Sequence, residues 1–233
     1  MNGQVQLREA ALSIVAIIGG YFLVGYALKF TLGHAAIGGY AISWSVWASL
    51  ILSLGVMGFV CKRRGALDSL GLSRPRSILK GGLTGLVGGV VILAGVALPV
   101  SLLSAAGLIS PPEGASSLLV EGPNAQLSLA LSLAVMWINA AFGEELLFRG
   151  FLMNTLMRAL GDTRRAGVAA SLIIALAFGV MHMPSQGLYG LVVTGIVGFL
   201  MGLLFLFGKR NLLPVVIAHG LINTVSMIAA SAG

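Results

Sequence analysis

Long apolar stretches dominate the chain, and short stretches that carry most of the basic residues separate them. Several of the apolar stretches approach the roughly 20 residues that a helix needs to cross a membrane. They are continuous rather than alternating, which is typical of membrane helices and not of barrel strands. The pattern therefore predicts an all-α fold, a polytopic transmembrane helix bundle of about seven spans. We place the spans at about residues 10–28, 41–60, 81–103, from 127 onward, 166–181, 188–207 and 212–230.

Composition supports a membrane protein and indicates its orientation. Of the 233 residues, 58% are hydrophobic and 9% are charged, whereas a soluble domain carries about 25% charged residues. The net charge of +7 would suit nucleic-acid binding in a soluble protein, but here the basic residues lie in short loops between spans, which indicates membrane orientation instead. We expect a multi-pass protein of the plasma membrane, embedded in the lipid bilayer, with a cytoplasmic N-terminus and no nucleic-acid partner.

The chain shows no internal repeat and no linker, so residues 1–233 are predicted to form a single integral membrane domain. No A-x-A-like cleavage site follows the first apolar stretch, and we expect that stretch to be retained. Residues 65–80 mix leucines with basic residues, which suggests a segment lying on the anionic cytoplasmic surface. Residues 106–126 contain three prolines and predict an irregular external loop. Gly198 and Gly202 form G-x-x-x-G, which predicts close helix packing within the chain rather than dimerisation.

Two adjacent glutamates lie inside the fourth predicted span, where ionisable groups are costly and are candidates for function. In the segment A-F-G-E-E-L-L-F-R-G, Glu145 and Arg149 are four residues apart. They share a helix face in the order that favours an ion pair. Glu144 points about 100° away from Glu145 and has no partner close in sequence. The spacing therefore predicts a structural pair of Glu145 with Arg149 and leaves Glu144 as a candidate general base.

Two later segments carry the remaining candidate polar groups. In F-G-V-M-H, Phe178 and His182 are four residues apart, so the phenyl ring can pack beside the imidazole. In H-G-L-I-N, His219 and Asn223 share a face of the last predicted span. Each pattern alone also fits an ordinary packing or interhelical hydrogen-bonding role. Together with Glu144 they supply the groups for water-mediated amide hydrolysis, a base for water and donors for an oxyanion.

The same carboxylate and imidazoles could instead hold a zinc ion that activates the water. If a metal is present, the predicted ligands are Glu144, His182 and His219. The zincin motif H-E-x-x-H is absent from the sequence. Neither an aspartyl-protease context around Asp162 nor a G-x-S-G context for a serine nucleophile is found. The residues therefore leave a glutamate mechanism and a zinc mechanism open, and the paired carboxylates and the amide donor favour the first.

The ordered motifs E-E-x-x-x-R, F-x-x-x-H and H-x-x-x-N resemble those of the CAAX protease and bacteriocin-processing family, also called the Abi family. This family includes the type II CAAX prenyl endopeptidases. The resemblance covers about residues 126–230, the motif-bearing core, and all three motifs are complete. It implies an intramembrane endopeptidase that acts on a membrane-associated or secreted peptide, with zinc as an uncertain cofactor. By motif, the general base would be Glu144, assisted by His182; the oxyanion pole would be His219 and Asn223; and the site architecture would rest on Glu145, Arg149 and Phe178.

The site residues can meet only if they lie at one depth in the membrane. A helix rises about 1.5 Å per residue, so a fourth span that ended at Arg149 would leave Glu144 far below His182. The apolar pattern continues from Phe151 to Leu160. A helix that runs on to Arg158 raises Glu144 to a depth close to those of the histidines. We therefore predict that the fourth span continues past Arg149 and that Arg149 is buried.

Two functions of other classes also fit a polar site within membrane spans. One is a non-catalytic immunity or scaffold protein that uses the same polar site to bind a partner. The other is a small transporter with a buried proton relay, which would predict inverted repeats or broken helices. No such repeat is found in the sequence, and the complete motifs favour the protease.

Overall fold

The computed structural model describes residues 3–32, 35–64, 67–73, 77–112 and 118–231. The fold is an all-α polytopic bundle, as predicted, and it adds a small sheet of three short strands. Six helices in the described part of the chain are long and apolar enough to cross a membrane. The helices are α1 (Gly3–Leu32), α2 (Trp44–Arg64), α3 (Ile78–Ala105), α4 (Ala125–Ala159), α5 (Arg164–Phe207) and α6 (Leu212–Ser231). The strands are β1 (Ala35–Ile37), β2 (Tyr40–Ile42) and β3 (Val120–Glu121).

The described part of the chain has six such helices and not seven, because the fifth and sixth predicted spans are the two arms of one helical element, α5. This element reverses direction at Gly187, whose φ of 59° and ψ of −150° are not helical. The hydroxyl of Ser171 donates a hydrogen bond of 3.0 Å to the carbonyl oxygen of Phe199. In a straight helix, residues 28 positions apart would be separated by about 42 Å. The two arms of α5 therefore lie antiparallel against each other.

Small residues line the contact between the two arms of α5. A Cβ atom added at Gly198 would lie 3.3 Å from the Cα atom of Ala175, and one added at Gly202 would collide with the side chain of Ser171. Such glycines allow helix backbones to approach closely. The structure thus confirms that the G-x-x-x-G pattern packs within the chain.

We expect Gly202→Leu to lower the free energy of unfolding by about 2–3 kcal/mol, because the new side chain must push the arms of α5 apart. Gly58→Leu is the matched control, since an added Cβ atom at Gly58 meets nothing within 4 Å. Unfolding of both variants in detergent micelles would check this. Equal stabilities of the two variants would contradict the packing described for the arms.

Helix α4 contains two consecutive π-helical segments, Trp137–Glu144 and Leu146–Met153. π-Helical turns are rare and occur frequently at functional sites. All eight residues of the second segment are buried, so α4 is the central helix of the bundle. The helix continues past Arg149 to Ala159, and Arg149 is 1% exposed. Both predictions drawn from membrane depth are therefore confirmed.

The connection between α2 and α3 packs against the core rather than lying only on a surface. Leu67–Leu70 forms a 3-10 turn, and Leu70 is 1% exposed. A Cβ atom at Gly150 of α4 would lie 2.7 Å from the carbonyl oxygen of Leu70. The prediction of a surface-lying segment is therefore wrong for Leu70, because an apolar side chain gains more from the nearby core. Residues 65, 66 and 74–76 of the predicted segment lie outside the described residues.

The connection between α3 and α4 is irregular in its described parts, residues 106–112 and 118–124, except for strand β3. The strands pair antiparallel in the order β1-β2-β3, with Ile42 opposite Val120. The hydroxyl of Ser132 in α4 receives hydrogen bonds from the backbone N–H groups of Leu119 and Val120. The sheet thus fastens the connection to the beginning of α4. The rest of the predicted external loop, residues 113–117, lies outside the described residues.

One cluster of buried apolar side chains extends from α1 to α6. Ala10 and Ile17 of α1 belong to the same cluster as Met153 of α4 and Ile222 of α6. Large apolar side chains also face outward, among them Phe30, which is 86% exposed. Water would make such exposure costly, whereas lipid tails favour it. The chain is therefore an integral membrane protein.

Candidate active site

Glu145 lies at the centre of a buried polar network that joins three helices. Its Oε1 atom accepts a hydrogen bond of 2.7 Å from the Nη1 atom of Arg149, and the Nδ1 atom of His219 also lies 2.7 Å from it. The Nη2 atom of Arg149 donates to the carbonyl oxygen of Gly198 at 2.8 Å. Glu145, Arg149 and His219 are all buried. The predicted ion pair is thus present, and it holds α4 to α5 and α6.

Glu144 differs from its neighbour Glu145 in both exposure and partners. Its side chain is partly exposed. It forms no hydrogen bond or ion pair with another described residue, but it interacts electrostatically with His182 and His219. One carboxylate of the adjacent pair is therefore engaged in structure through its Oε1 atom, whereas neither oxygen of the other has a hydrogen-bond partner among the described residues.

Phe178 connects the two histidines. Its ring centroid lies 4.6 Å from that of His182 and 6.3 Å from that of His219. Phe148 packs edge-on against it at 5.0 Å, and the guanidinium carbon of Arg149 lies 5.2 Å from its centroid. Aromatic and cation–π contacts of this kind restrict the position of a ring. The predicted contact between Phe178 and His182 is present, and it fixes the imidazole beside Glu144.

The hydrogen-bond partners of the histidines determine their tautomers. The Nδ1 atom of His182 lies 2.8 Å from the carbonyl oxygen of Phe178, and a carbonyl oxygen can only accept, so Nδ1 carries a proton. The Nε2 atom of neutral His182 is then a proton acceptor. His219 donates through Nδ1 to the carboxylate of Glu145, which orients its ring.

Asn223 lies one helical turn after His219 on α6, and its side chain is partly exposed. It makes no hydrogen bond with another described residue, so its amide group is available to a ligand. Its share in the predicted oxyanion pole stays a prediction.

The described side chains do not form a metal site. No group of three or more His, Cys, Asp and Glu side chains in the described ranges is arranged to hold a metal ion. Glu144, His182 and His219 are therefore not gathered as zinc ligands.

A comparison with protein families finds a match in the part of the chain that contains this site. The family model described as type II CAAX prenyl endopeptidase Rce1-like matches residues 126–225. We call residues 126–225, which match this family model, the Rce1-like region. The Rce1-like region begins in α4 and ends in α6, and it contains Glu144, His182, His219 and Asn223. No curated protein and no solved structure matches the chain.

Tyr21 of α1 lies outside the Rce1-like region but belongs to the surroundings of Glu144. Its hydroxyl lies close to Ser45 and within electrostatic range of Glu144, and its ring packs against Trp44 with the centroids 6.1 Å apart. The sequence analysis missed it, because a tyrosine within an apolar span carries no motif and is common in membrane helices.

Asn139 is a second polar residue that the sequence analysis missed. It lies five residues before Glu144 within the first π-helical segment, where residues five apart are hydrogen-bonded neighbours. It is buried, and its Oδ1 atom has no partner among the described residues. A buried amide oxygen of this kind calls for an ordered water. Its position inside an apolar span was a signal that could have identified it.

Proposed function

We propose that the protein is an intramembrane endopeptidase that hydrolyses a peptide bond in a membrane-associated or secreted peptide. The observation that carries the proposal is that the two adjacent glutamates differ in burial and in bonding partners. Glu145 is fully buried and its Oε1 atom is paired twice, whereas Glu144 is partly exposed, has no hydrogen-bond or ion-pair partner among the described residues, and interacts electrostatically with two imidazoles. The family assignment of residues 126–225 supports protease chemistry at this site.

In the proposed reaction, Glu144 accepts a proton from a water molecule as the water oxygen attacks the peptide carbonyl carbon. The Nε2 atom of His182 accepts a hydrogen bond from the same water and orients it. His219, through a proton on Nε2, and the amide of Asn223 donate hydrogen bonds to the oxyanion that forms. Glu144 then delivers its proton to the departing amine nitrogen, so that one water yields one carboxylic acid and one amine.

The proposed setting is the plasma membrane, with a cytoplasmic N-terminus, a peptide or protein substrate and no nucleic-acid partner. The basic residues support this orientation, because cytoplasmic ends of spans are enriched in lysine and arginine. Arg164 and Lys209 both lie at one end of the hairpin formed by α5.

Peptide-cleavage profiling of the purified protein tests the proposal. A library of lipidated and unmodified peptides is incubated with the protein, with and without a chelator, and new peptide termini are identified by mass spectrometry. We expect cleavage that persists in chelator. Cleavage that disappears with chelator would overturn the proposed mechanism, and no cleavage beyond that of Glu144→Gln would overturn the function.

Substitution of the two histidines should give different results. We expect His182→Ala to lower kcat by about 100-fold with little change in stability, because the ring's hydrogen bond is to the backbone of its own helix. His219→Ala should lower both kcat and the free energy of unfolding, the latter by about 1–3 kcal/mol, because buried Glu145 loses a partner. Paired measurements of cleavage and unfolding would check this. Equal loss of stability in both variants would contradict these separate roles.

A further inference from the structure

An apolar groove lies between the first half of α3 and the end of α5, away from the candidate active site. Its volume is about 410 Å³. Residues 83, 84, 87, 88 and 91 recur every three or four positions, so they line one face of α3. The opposite wall comes from the second arm of α5. The groove is lined by Leu83, Thr84, Val87, Gly88, Val91, Leu204 and Phe207.

One end of this groove is basic. Lys80 is exposed and precedes Thr84 by one turn of α3, so it lies on the same helix face as the groove. Lys209 is also exposed and follows Phe207 by two residues. Neither lysine makes an ion pair in the described part of the chain, whereas the neighbouring Arg210 is paired with Asp162. Two cations are therefore available where the apolar lining ends.

The turn that carries Lys209 is held in a strained conformation. Lys209 and Arg210 have φ values of 57° and 60°, which cost of order 1–2 kcal/mol each for residues other than glycine. The turn is fixed from outside, because the N–H of Leu212 donates to the carbonyl oxygen of Gly71 at 2.9 Å. The cation is thus presented from a fixed position, and strain of this kind occurs at ligand-binding sites.

We infer that this groove binds an anionic phospholipid, with one acyl chain between α3 and α5 and the phosphate between Lys80 and Lys209. The distance along α3 from Lys80 to Val91 is about 16 Å, close to the hydrocarbon thickness of one leaflet. Val87 and Phe207 are exposed apolar side chains, 63% and 77%, as contacts to lipid require. A lysine near an anionic lipid surface contributes favourably to binding, and a zwitterionic lipid offers less of this attraction.

Native mass spectrometry of the full-length protein in detergent tests the inference. The protein is mixed with equal amounts of phosphatidylglycerol and phosphatidylcholine, and the retained lipids are counted. We expect preferential retention of phosphatidylglycerol that weakens as salt increases. In the double variant Lys80→Ala/Lys209→Ala, phosphatidylglycerol should bind about 30-fold more weakly, the effect of two lysine contacts of ordinary strength.

Two further variants test whether phosphatidylglycerol retention depends on the groove itself or on positive charge anywhere on the protein. Thr84→Trp fills the groove without removing a cation and should lower phosphatidylglycerol retention; Val87→Trp, at an exposed position, serves the same purpose if Thr84→Trp does not fold. Lys62→Ala removes an exposed lysine at the end of α2 and should bind like wild type. Equal retention of both lipids by the wild type, full retention by the double lysine variant, or full retention by the groove-filling variant would each overturn the inference.

Discussion

Glu144→Gln is expected to lower kcat for peptide cleavage by about 1,000-fold while the protein remains folded. Glutamine has nearly the same shape as glutamate but cannot accept the proton of the attacking water, and a positioned general base contributes about 100- to 10,000-fold. The fold should persist, because the carboxylate of Glu144 makes no hydrogen bond or ion pair with a described residue. Cleavage kinetics and thermal unfolding of the purified variant would check both parts.

Glu121→Gln provides the control for this substitution. It removes one exposed carboxylate from β3 and should leave both kcat and unfolding unchanged. The value of KM should change little in Glu144→Gln, since a base that acts only in the transition state does not hold the substrate. A Glu144→Gln enzyme that retains a tenth or more of its activity would rule out Glu144 as the base and would favour a non-catalytic role for the site.

Arg149→Met is expected to be the most destabilising single change at the site, lowering the free energy of unfolding by about 3–5 kcal/mol. The substitution removes the guanidinium that pairs with the buried Glu145 carboxylate. It also removes the donor to the carbonyl oxygen of Gly198, so α4 loses a direct bond to α5. Denaturant unfolding in mixed micelles would measure the change.

A double-mutant cycle makes this second prediction specific. Glu145→Gln/Arg149→Met removes both charges and should cost less than the sum of the two single substitutions. Arg165→Met removes an exposed arginine near the beginning of α5 and should have little effect. If Arg149→Met stays within about 1 kcal/mol of wild type, the charge pair does not stabilise the bundle, as some buried pairs do not.

The sequence was sufficient to predict the features of α4 that depend on spacing and depth. The four-residue interval between Glu145 and Arg149 predicts their contact whatever the surrounding fold. The need for Glu144 and His182 to meet at one depth predicts that α4 runs past Arg149. Both arguments use only helix geometry and the cost of burying charge, which do not depend on tertiary detail.

The features that the sequence did not predict depend on long-range contacts. The gap between the fifth and sixth predicted spans already locates the reversal at Gly187, but which residues of the two arms meet, such as Ser171 and Phe199, depends on contacts between distant positions. The strands of the small sheet have two or three residues each, too few for a periodic pattern. Tyr21 reaches Glu144 from a helix more than 100 residues earlier. The second partner of Glu145, His219, likewise becomes visible only when α4 and α6 are packed together.

The close approach of Gly150 to the backbone of Leu70 has a consequence for how this protein can be divided. Gly150 lies inside the Rce1-like region, whereas Leu70 precedes it by more than 50 residues. A fragment limited to residues 126–225 would leave the buried side chains of α4 without the partners that α1 and α2 supply, such as Ile17 and Val60. Chimeras that exchange only the family region would create the same mismatch. Homologous segments should therefore be exchangeable only when the first two helices are transferred with them.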